Sequence, residues 1–404
     1  DKLAHDLLAD SYYDAGNLDK ALEENQKVLD LDPNYAPAFN FMAGIYMEKG
    51  EYEKALKYVT KYASLYPGEA NPLDTMAGIY FGMGRVDEAV AKFKEALSVK
   101  PNYGGSLLAL HYIYALRQDY PEVMRLLDQL TKETMPPPMI IEGYWLKCFY
   151  HAWLGSTKKA IKDLQPAAEL AERMGNEVVK IEIDFLKGVI YYEDGELELS
   201  RSYFQNSAKA FSRVFPEAPQ SAKEEAESST YFLQGLIDLK QGRIESAKSR
   251  WEKYVSLETT KTAPPYWKDF FRGEILLAER KPGEAISLLE KTPPLRCPKL
   301  WNASTLIDYN MFSKDVLALA YQQNGDLDKA IAEYERLTTF DPKSVEHFLI
   351  HPKYYFRLAG LYEAKGLKAK AAENYKRFLD LWKDADPGQS EVEEAQKRLA
   401  GLKG

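Results

Sequence analysis

The chain has 404 residues, of which 53 are lysine or arginine and 61 are aspartate or glutamate, so its formal net charge is −8. This acidic balance argues against a nucleic-acid partner, because proteins that bind nucleic acid draw much of their affinity from a basic surface. No apolar run is long enough to span a membrane, and the two cysteines, Cys148 and Cys297, do not form a disulfide framework. We therefore expect a cytoplasmic protein that binds neither nucleic acid nor membrane.

Three stretches near the start of the chain share one pattern and begin at Tyr12, Tyr46 and Tyr80, 34 residues apart. A fixed period of this length indicates a repeat array. Each copy has a glycine after the tyrosine, a small residue on either side of that glycine, and a proline at its end. The three copies are Ala9, Tyr12, Gly16, Ala21 and Pro33, then Ala43, Tyr46, Gly50, Ala55 and Pro67, then Ala77, Tyr80, Gly84, Ala89 and Pro101.

Each copy predicts two helices joined by a tight turn. Apolar residues recur at helical spacing on both sides of the glycine, which suits the left-handed backbone just beyond a first helix. The proline ends the second helix, and the alanines let the two helices approach closely. Neither helix can bury its apolar side alone, so we expect each hairpin to stack on its neighbours and to contact only them.

This order of small residue, tyrosine, glycine, alanine and proline resembles the tetratricopeptide repeat (TPR) family. The resemblance implies an all-α solenoid of helix-turn-helix units that winds into a right-handed superhelix. The pattern continues, with longer spacings, through the rest of the chain. The later units are centred on Gln118, Gly155, Gly195, Gly242, the segment that contains Gly273 and Ala285, Gly325 and Gly366. We count ten units, of which those at Gln118 and after Gly273 depart most from the pattern.

The spacings predict a division of the chain into four parts. These are three regular units in residues 1–102, divergent and lengthened units in 103–300, two regular units in 301–388, and a C-terminal capping helix in 389–404. Ser390 and Glu393 have the spacing of a capping box at the start of that helix. No comparable helix precedes the first unit, so we expect further protein ahead of Asp1.

The sequence offers no candidate for catalysis, for a cofactor or for a metal. Phosphate-binding loops, dinucleotide fingerprints and nucleophile elbows are all absent from it. Cys148 and His151 lie one helical turn apart, but they occupy the alanine and tyrosine positions of the repeat, which favours packing. His347 and His351 are four residues apart, yet no third ligand is evident nearby, and zinc sites need three or four. We predict that the protein is not an enzyme.

In the TPR family the first helices of successive hairpins line a concave wall, along which extended peptides usually lie. The resemblance implies that this wall is mostly polar in the first three units and aromatic in the middle ones. The expected partner-binding residues are Asn40, Met47, Asn71, Phe81, Trp145, Phe149, Trp153, Phe185, Tyr192, Phe232, Trp267 and Phe270. A clamp for a C-terminal carboxylate, as in one TPR subfamily, is disfavoured because only Asn40 fits it and Asp74 would repel the carboxylate.

The middle aromatic residues have two interpretations. They either fill the core between longer helices or form a groove that takes apolar groups of a partner or a ligand. We therefore carry two functions: a non-enzymatic scaffold that binds a protein or peptide segment, and an array that senses a small ligand and controls an attached kinase or transcriptional regulator. The residues from His351 onward resemble the ends of arrays attached to bacterial serine/threonine kinases, cyclases and regulators. A closed cavity of ligand size among the middle units would favour the sensor, and an open groove would favour the scaffold.

Overall fold

The structure, a computed structural model, describes residues 1–262, 265–294, 307, 310, 314–344 and 346–402. Within these residues lie the bounds of 22 α-helices and no β-strand, which confirms the all-α prediction. The chain divides into two compact units, one of Asp1–Met135 with Asp341–Ser344 and one of Pro136–Phe340 with Val345–Gly404. None of the helices in the described ranges is both long enough and apolar enough to cross a membrane.

The first unit consists of four helical hairpins. Its helices are α1 (Lys2–Asp14), α2 (Leu18–Leu31), α3 (Ala36–Glu48), α4 (Tyr52–Leu65), α5 (Ala70–Gly82), α6 (Val86–Val99), α7 (Gly104–Leu116) and α8 (Tyr120–Leu130). Each odd-numbered helix packs on the even-numbered helix that follows it. The alanines at both small-residue positions of the first three repeats are fully buried, so the helices meet at these positions as predicted.

The second unit continues the hairpin pattern with longer helices. Its helices are α9 (Pro137–Trp153), α10 (Thr157–Met174), α11 (Glu177–Asp194), α12 (Leu197–Val214), α13 (Gln220–Lys240), α14 (Ile244–Ser256), α15 (Glu258–Thr262), α16 (Pro265–Ala278), α17 (Pro282–Leu289), α18 (Val316–Asn324), α19 (Leu327–Leu337), α20 (Pro352–Ala364), α21 (Lys368–Leu381) and α22 (Ser390–Leu402). The last helix, α22, packs on α21 and buries Ala395. The four-part division stays a prediction, and its boundary at residue 300, like Cys297, lies outside the described residues.

A residue with left-handed backbone follows the first helix of all ten predicted repeats. In eight of them it is a glycine, with φ between 72° and 88°, at Gly16, Gly50, Gly84, Gly155, Gly195, Gly242, Gly325 and Gly366. In the two least regular repeats the same place is taken by Gln118, with φ of 57°, and Arg280, with φ of 59°. Because such a conformation strains a residue that has a Cβ atom, the packing of the two helices must impose the turn.

Replacing Arg280 with glycine should therefore raise the free energy of unfolding by about 1 kcal/mol, since it relieves this strain. Gly242→Ala introduces the same strain at a turn where the added Cβ atom meets no neighbour. It should lower the free energy of unfolding by about the same amount. Urea unfolding of the three proteins measures both effects. A less stable Arg280→Gly variant would contradict this account of the turn.

One contact in the second unit joins segments that are distant in the sequence. The turn after α9 packs against the segment between α21 and α22. The Gly155 carbonyl oxygen accepts the Asp386 backbone N–H at 2.9 Å, and the Trp382 indole Nε1 donates to the Trp153 carbonyl oxygen at 3.1 Å. The expectation that each hairpin contacts only its neighbours is therefore wrong here, and this part of the array closes on itself.

The closing contact supplies the N-terminal cap of α10. Ser156 precedes this helix, but its hydroxyl donates to the Asp384 carbonyl oxygen, at 2.5 Å, and does not cap the helix. The Asp386 carboxylate accepts the Lys158 backbone N–H at 2.9 Å instead. The first N–H groups of a helix need an acceptor and favour a negative charge, so a distant aspartate serves as the missing cap.

Gly155→Ala should break this contact, because the added Cβ atom would lie 2.9 Å from the Ala385 Cβ atom. Hydrogen exchange of the Asp386 amide should accelerate by about tenfold or more as the segment opens locally. Gly195→Ala is the matched control, since Gly195 has the same left-handed turn and no atom within 4 Å of the added Cβ. Unchanged exchange at Asp386 in Gly155→Ala would contradict the closure.

Candidate functional site

A row of side-chain hydrogen bonds connects successive first helices of the first unit. Three residues occupy the same position, ten before the turn residue of their repeats, and each accepts a hydrogen bond from the next repeat. The bonds are Tyr35 OH to Asp6 Oδ2 at 3.1 Å, Thr75 Oγ1 to Asn40 Oδ1 at 2.9 Å, and Ser106 Oγ to Asp74 Oδ1 at 2.6 Å. We call Asp6, Asn40 and Asp74 the polar row. Its members are held in place by the neighbouring repeat before any partner arrives.

Asp74 in the polar row and Asp10 on α1 have raised pKa values. Burial raises the pKa of Asp74 to about 6, although its hydrogen bond with Ser106 acts in the opposite direction. Burial also raises the pKa of Asp10, as do the nearby carboxylates of Asp6 and Asp14. This side of the first unit therefore presents clustered carboxylates together with the Asn40 amide.

The four residues predicted to bind a partner in the first unit differ in their surroundings. Asn71 donates to the Tyr103 hydroxyl at 2.8 Å, while Met47 packs against the core and Phe81 lies edge-on to Tyr112. The Asn40 Nδ2 group has no hydrogen-bond partner among the described residues. Of these four, Asn40 therefore has a polar group available to a partner, and the binding role of all four stays a prediction.

The predicted aromatic residues of the second unit are mostly buried. Those less than 10% exposed are Trp145, Phe149, Trp153, Phe232 and Phe270, while those half-buried are Phe185, Tyr192 and Trp267. Phe149 and Trp153 pack together with ring centroids 5.3 Å apart, and Phe232 contacts Trp267 and Phe270. This burial supports the core interpretation, and a role in partner binding stays a prediction.

The second unit also contains a cavity of about 360 Å³. We call it the inner cavity, and it is lined by α11, α13, α16, α18 and α20 with the residues just before the last two helices. These are first helices of successive hairpins. The charged and titratable groups that line it are Glu193, Lys240, Glu274, Asp315, His351, Lys353 and Arg357.

Several of these groups have partners within the protein. Arg357 forms an ion pair with Asp315, which also accepts the Tyr334 hydroxyl at 2.7 Å. Lys353 forms an ion pair with Glu391, with 2.7 Å between the charged atoms. These pairs neutralise the charges that they contain, so they contribute little net charge to the cavity.

The surroundings of two further groups lower their pKa values. Lys240 Nζ donates to the Tyr192 carbonyl oxygen at 2.9 Å and lies 3.6 Å from the centre of that ring, and burial lowers the pKa of Lys240. Burial, together with the charges of Lys353 and Arg357, lowers the pKa of His351 to about 3. His351 is therefore neutral, and its Nδ1 atom accepts the Lys353 backbone N–H at the start of α20.

Glu274 differs from these cavity groups because it lacks a bonded partner. Its carboxyl group has no hydrogen bond or ion pair with any described residue. Burial raises the pKa of Glu274 to about 7, and nearby Asp315 adds to the rise, while Arg357 and Lys240 reduce it. An unpaired carboxyl group on the wall of a cavity is costly to ionise and so is a candidate ligand contact.

The inner-cavity residues were not predicted from the sequence, apart from Tyr192 and Phe270. A signal for Glu274 was present, because it stands six residues before its turn residue, Arg280, as Asp10 stands six before Gly16. Cys148 shows no sign of reactivity, since it is buried at an alanine position and burial raises the pKa of its thiol. The described ranges contain no group of three or more His, Cys, Asp or Glu residues placed to hold a metal ion.

Glu274→Gln should stabilise the protein at high pH but not at low pH. The folded state holds the Glu274 proton more tightly than the unfolded chain, so wild-type stability is lost as the pH rises from the ordinary glutamate pKa to about 7. At pH 8 the variant should be more stable by about 1–3 kcal/mol, and at pH 4.5 the two should be nearly equal. Urea unfolding at both pH values measures the difference.

Glu284→Gln makes the same chemical change on an exposed side chain and serves as the control. Because a negative charge in the first turn of α17 favours the helix, this change should lower stability at pH 8 by less than about 1 kcal/mol, opposite in sign to Glu274→Gln. An equal response of the two variants at pH 8 would contradict the assignment of Glu274 to a site that disfavours its charge.

Comparisons with known proteins agree with the repeat pattern. One model of the tetratricopeptide repeat matches residues 7–77, and a second matches residues 73–103 and 315–344. No curated protein sequence matches the chain.

Three solved structures are similar at low identity. A tetratricopeptide repeat protein from Parabacteroides merdae is 16% identical, with 69% of this chain and 98% of that chain covered and a TM-score of 0.44. MamA is 19% identical, with 41% of this chain and 96% of the MamA chain covered and a TM-score of 0.33. PilW, a type IV pilus biogenesis factor, is 19% identical, with 54% of this chain and 94% of the PilW chain covered and a TM-score of 0.38. These similarities are too distant to indicate a function. From the repeat models and its own helical hairpins, the protein contains tetratricopeptide repeats over residues 7–103 and 315–344.

Proposed function

We propose that the protein is a non-enzymatic scaffold that binds a segment of another protein along the first helices of its first unit. Tetratricopeptide repeats typically bind protein or peptide partners, and repeat arrays bind on surfaces that successive repeats share. The polar row is the observation that best supports this proposal. Its side chains are fixed by the next repeat, so a partner would lose little free energy in ordering them.

The chemistry of this surface indicates the kind of segment that it would bind. The Asn40 Nδ2 group can donate to a backbone carbonyl oxygen of an extended peptide. The first helices before and after that of Asn40 carry the carboxylates of Asp6, Asp10 and Asp74, which favours lysine or arginine side chains in the partner. We therefore propose a partner segment that is extended and basic.

Selection of peptides from a random displayed library on the full chain should enrich basic sequences. Asn40→Ala should weaken binding of a selected peptide by about threefold to tenfold, the effect of one lost hydrogen bond. Asn34→Ala, on an exposed turn, is the matched control and should bind like the wild type. Fluorescence anisotropy measures these affinities. Selected peptides that lack basic residues, or that bind Asn40→Ala and wild type equally, would contradict the proposal.

A second function is supported by a different observation. The inner cavity, at about 360 Å³, lies within the range of about 300–1,000 Å³ found for small-molecule pockets. A volume of this size suits a ligand-sensing array. The expectation from the sequence that the last repeats resemble arrays on bacterial kinases and regulators adds a regulatory setting to this proposal. In this proposal the protein works in the cytoplasm, and ligand binding in the second unit controls an attached effector.

A further inference from the structure

We propose that the inner cavity binds a small organic cation, whose amine or guanidinium group contacts Glu274. This inference rests on the second proposed function, that the cavity receives a ligand, and it names the chemistry of that ligand. It concerns the second unit alone and is independent of peptide binding by the polar row.

The charged groups that line the cavity are only partly paired with one another. Asp315, Arg357 and Lys353 are already paired within the protein. Glu274 has no hydrogen bond or ion pair to a described residue, and the polar contact of Glu193 is His351, 3.9 Å away. Two carboxyl groups therefore face the cavity without a cation bonded to either.

Lys240 offsets one of these two carboxyl charges but is bonded to neither group. Its ammonium group is held by the Tyr192 carbonyl oxygen and ring, and it forms no ion pair within 4.0 Å among the described residues. With Glu274 and Glu193 ionised, the unpaired groups of the cavity carry one more negative charge than positive. A bound cation would supply the missing partner and recover the cost of burying the Glu274 charge.

The charges of the cavity disfavour other classes of ligand. An anion would bring its charge beside Glu274 and Glu193. Of the nearby cations, Arg357 is paired with Asp315 and Lys240 is held by the Tyr192 carbonyl oxygen. A neutral ligand would supply no charge to pair with Glu274 once that carboxyl group ionises. Phe270, Leu236 and Leu277 also line the cavity, and they can contact the hydrocarbon part of an alkylamine. A cation with a short apolar chain satisfies both sets of residues.

Isothermal titration calorimetry on the full chain tests the proposal with four probes at constant ionic strength: agmatine, 1,4-diaminobutane, succinate and glucose. Agmatine or 1,4-diaminobutane should bind at one site. Glu274→Gln should weaken that binding by at least tenfold, the loss of about 1.4 kcal/mol. Glu284→Gln, on an exposed part of α17, should bind like the wild type.

Glu193→Gln provides a second variant, on a different helix of the cavity lining, α11, and should weaken cation binding as well. Circular dichroism melting confirms that each variant is folded. Cation binding that is unaffected by Glu274→Gln and Glu193→Gln would place the cation elsewhere and overturn the proposal.

The remaining outcomes separate this proposal from the function on which it rests. Binding of succinate or glucose without binding of either cation would overturn the proposal that the ligand is a cation. It would leave the ligand-sensing function in place, provided that Glu274→Gln alters that binding. Binding of none of the four probes would overturn the cation proposal and count against the sensing function.

Discussion

The structure depends on one constraint: a helical hairpin of this size cannot bury its own apolar side. Each hairpin is closed by a left-handed turn and by small residues where its helices meet, and the remaining apolar surface must be covered by another hairpin. Both small positions of the regular repeats are fully buried, and Cys148 and Ser200 fill the same positions in the longer ones. The first helices of successive hairpins therefore lie side by side, which places the polar row and the inner cavity on them.

The repeats and their turns could be predicted from the sequence because they depend on local spacing. The turn at Arg280 shows how far this extends, since the repeat frame locates it even though no glycine is present. The closing contact could not be predicted in this way. It depends on backbone groups, the Trp382 indole, the Ser156 hydroxyl and the Asp386 carboxylate. Asp386 lies more than 200 residues from the helix that it caps, and no periodicity records such a pairing.

The candidate sites were predictable to different degrees. Asn40 was expected on the inner wall from the resemblance, and its Nδ2 group has no hydrogen-bond partner among the described residues. The aromatic residues of the middle units are compatible with either interpretation in the sequence, because a large side chain on a first helix has the same spacing whether it packs or binds. The charge balance of the inner cavity depends on which groups are paired across several hairpins, and this is a property of the folded unit.

The closing contact and the inner cavity are neighbours. His351 lines the cavity and its ring lies 4.4 Å from that of Trp153, in the segment that receives the Trp382 indole. An array that closes on itself brings the inner sides of its first helices toward a common space. Closure is therefore the central claim of this account, because the cavity and its proposed ligand both depend on it.

Electron paramagnetic resonance distances test closure most directly. Spin labels would be placed at Lys159 and Lys383, which are exposed on either side of the contact, in a chain whose two native cysteines are replaced. The account predicts a single short and narrow distance distribution. A broad distribution centred on a long distance would show that the second unit is open, and would contradict the account.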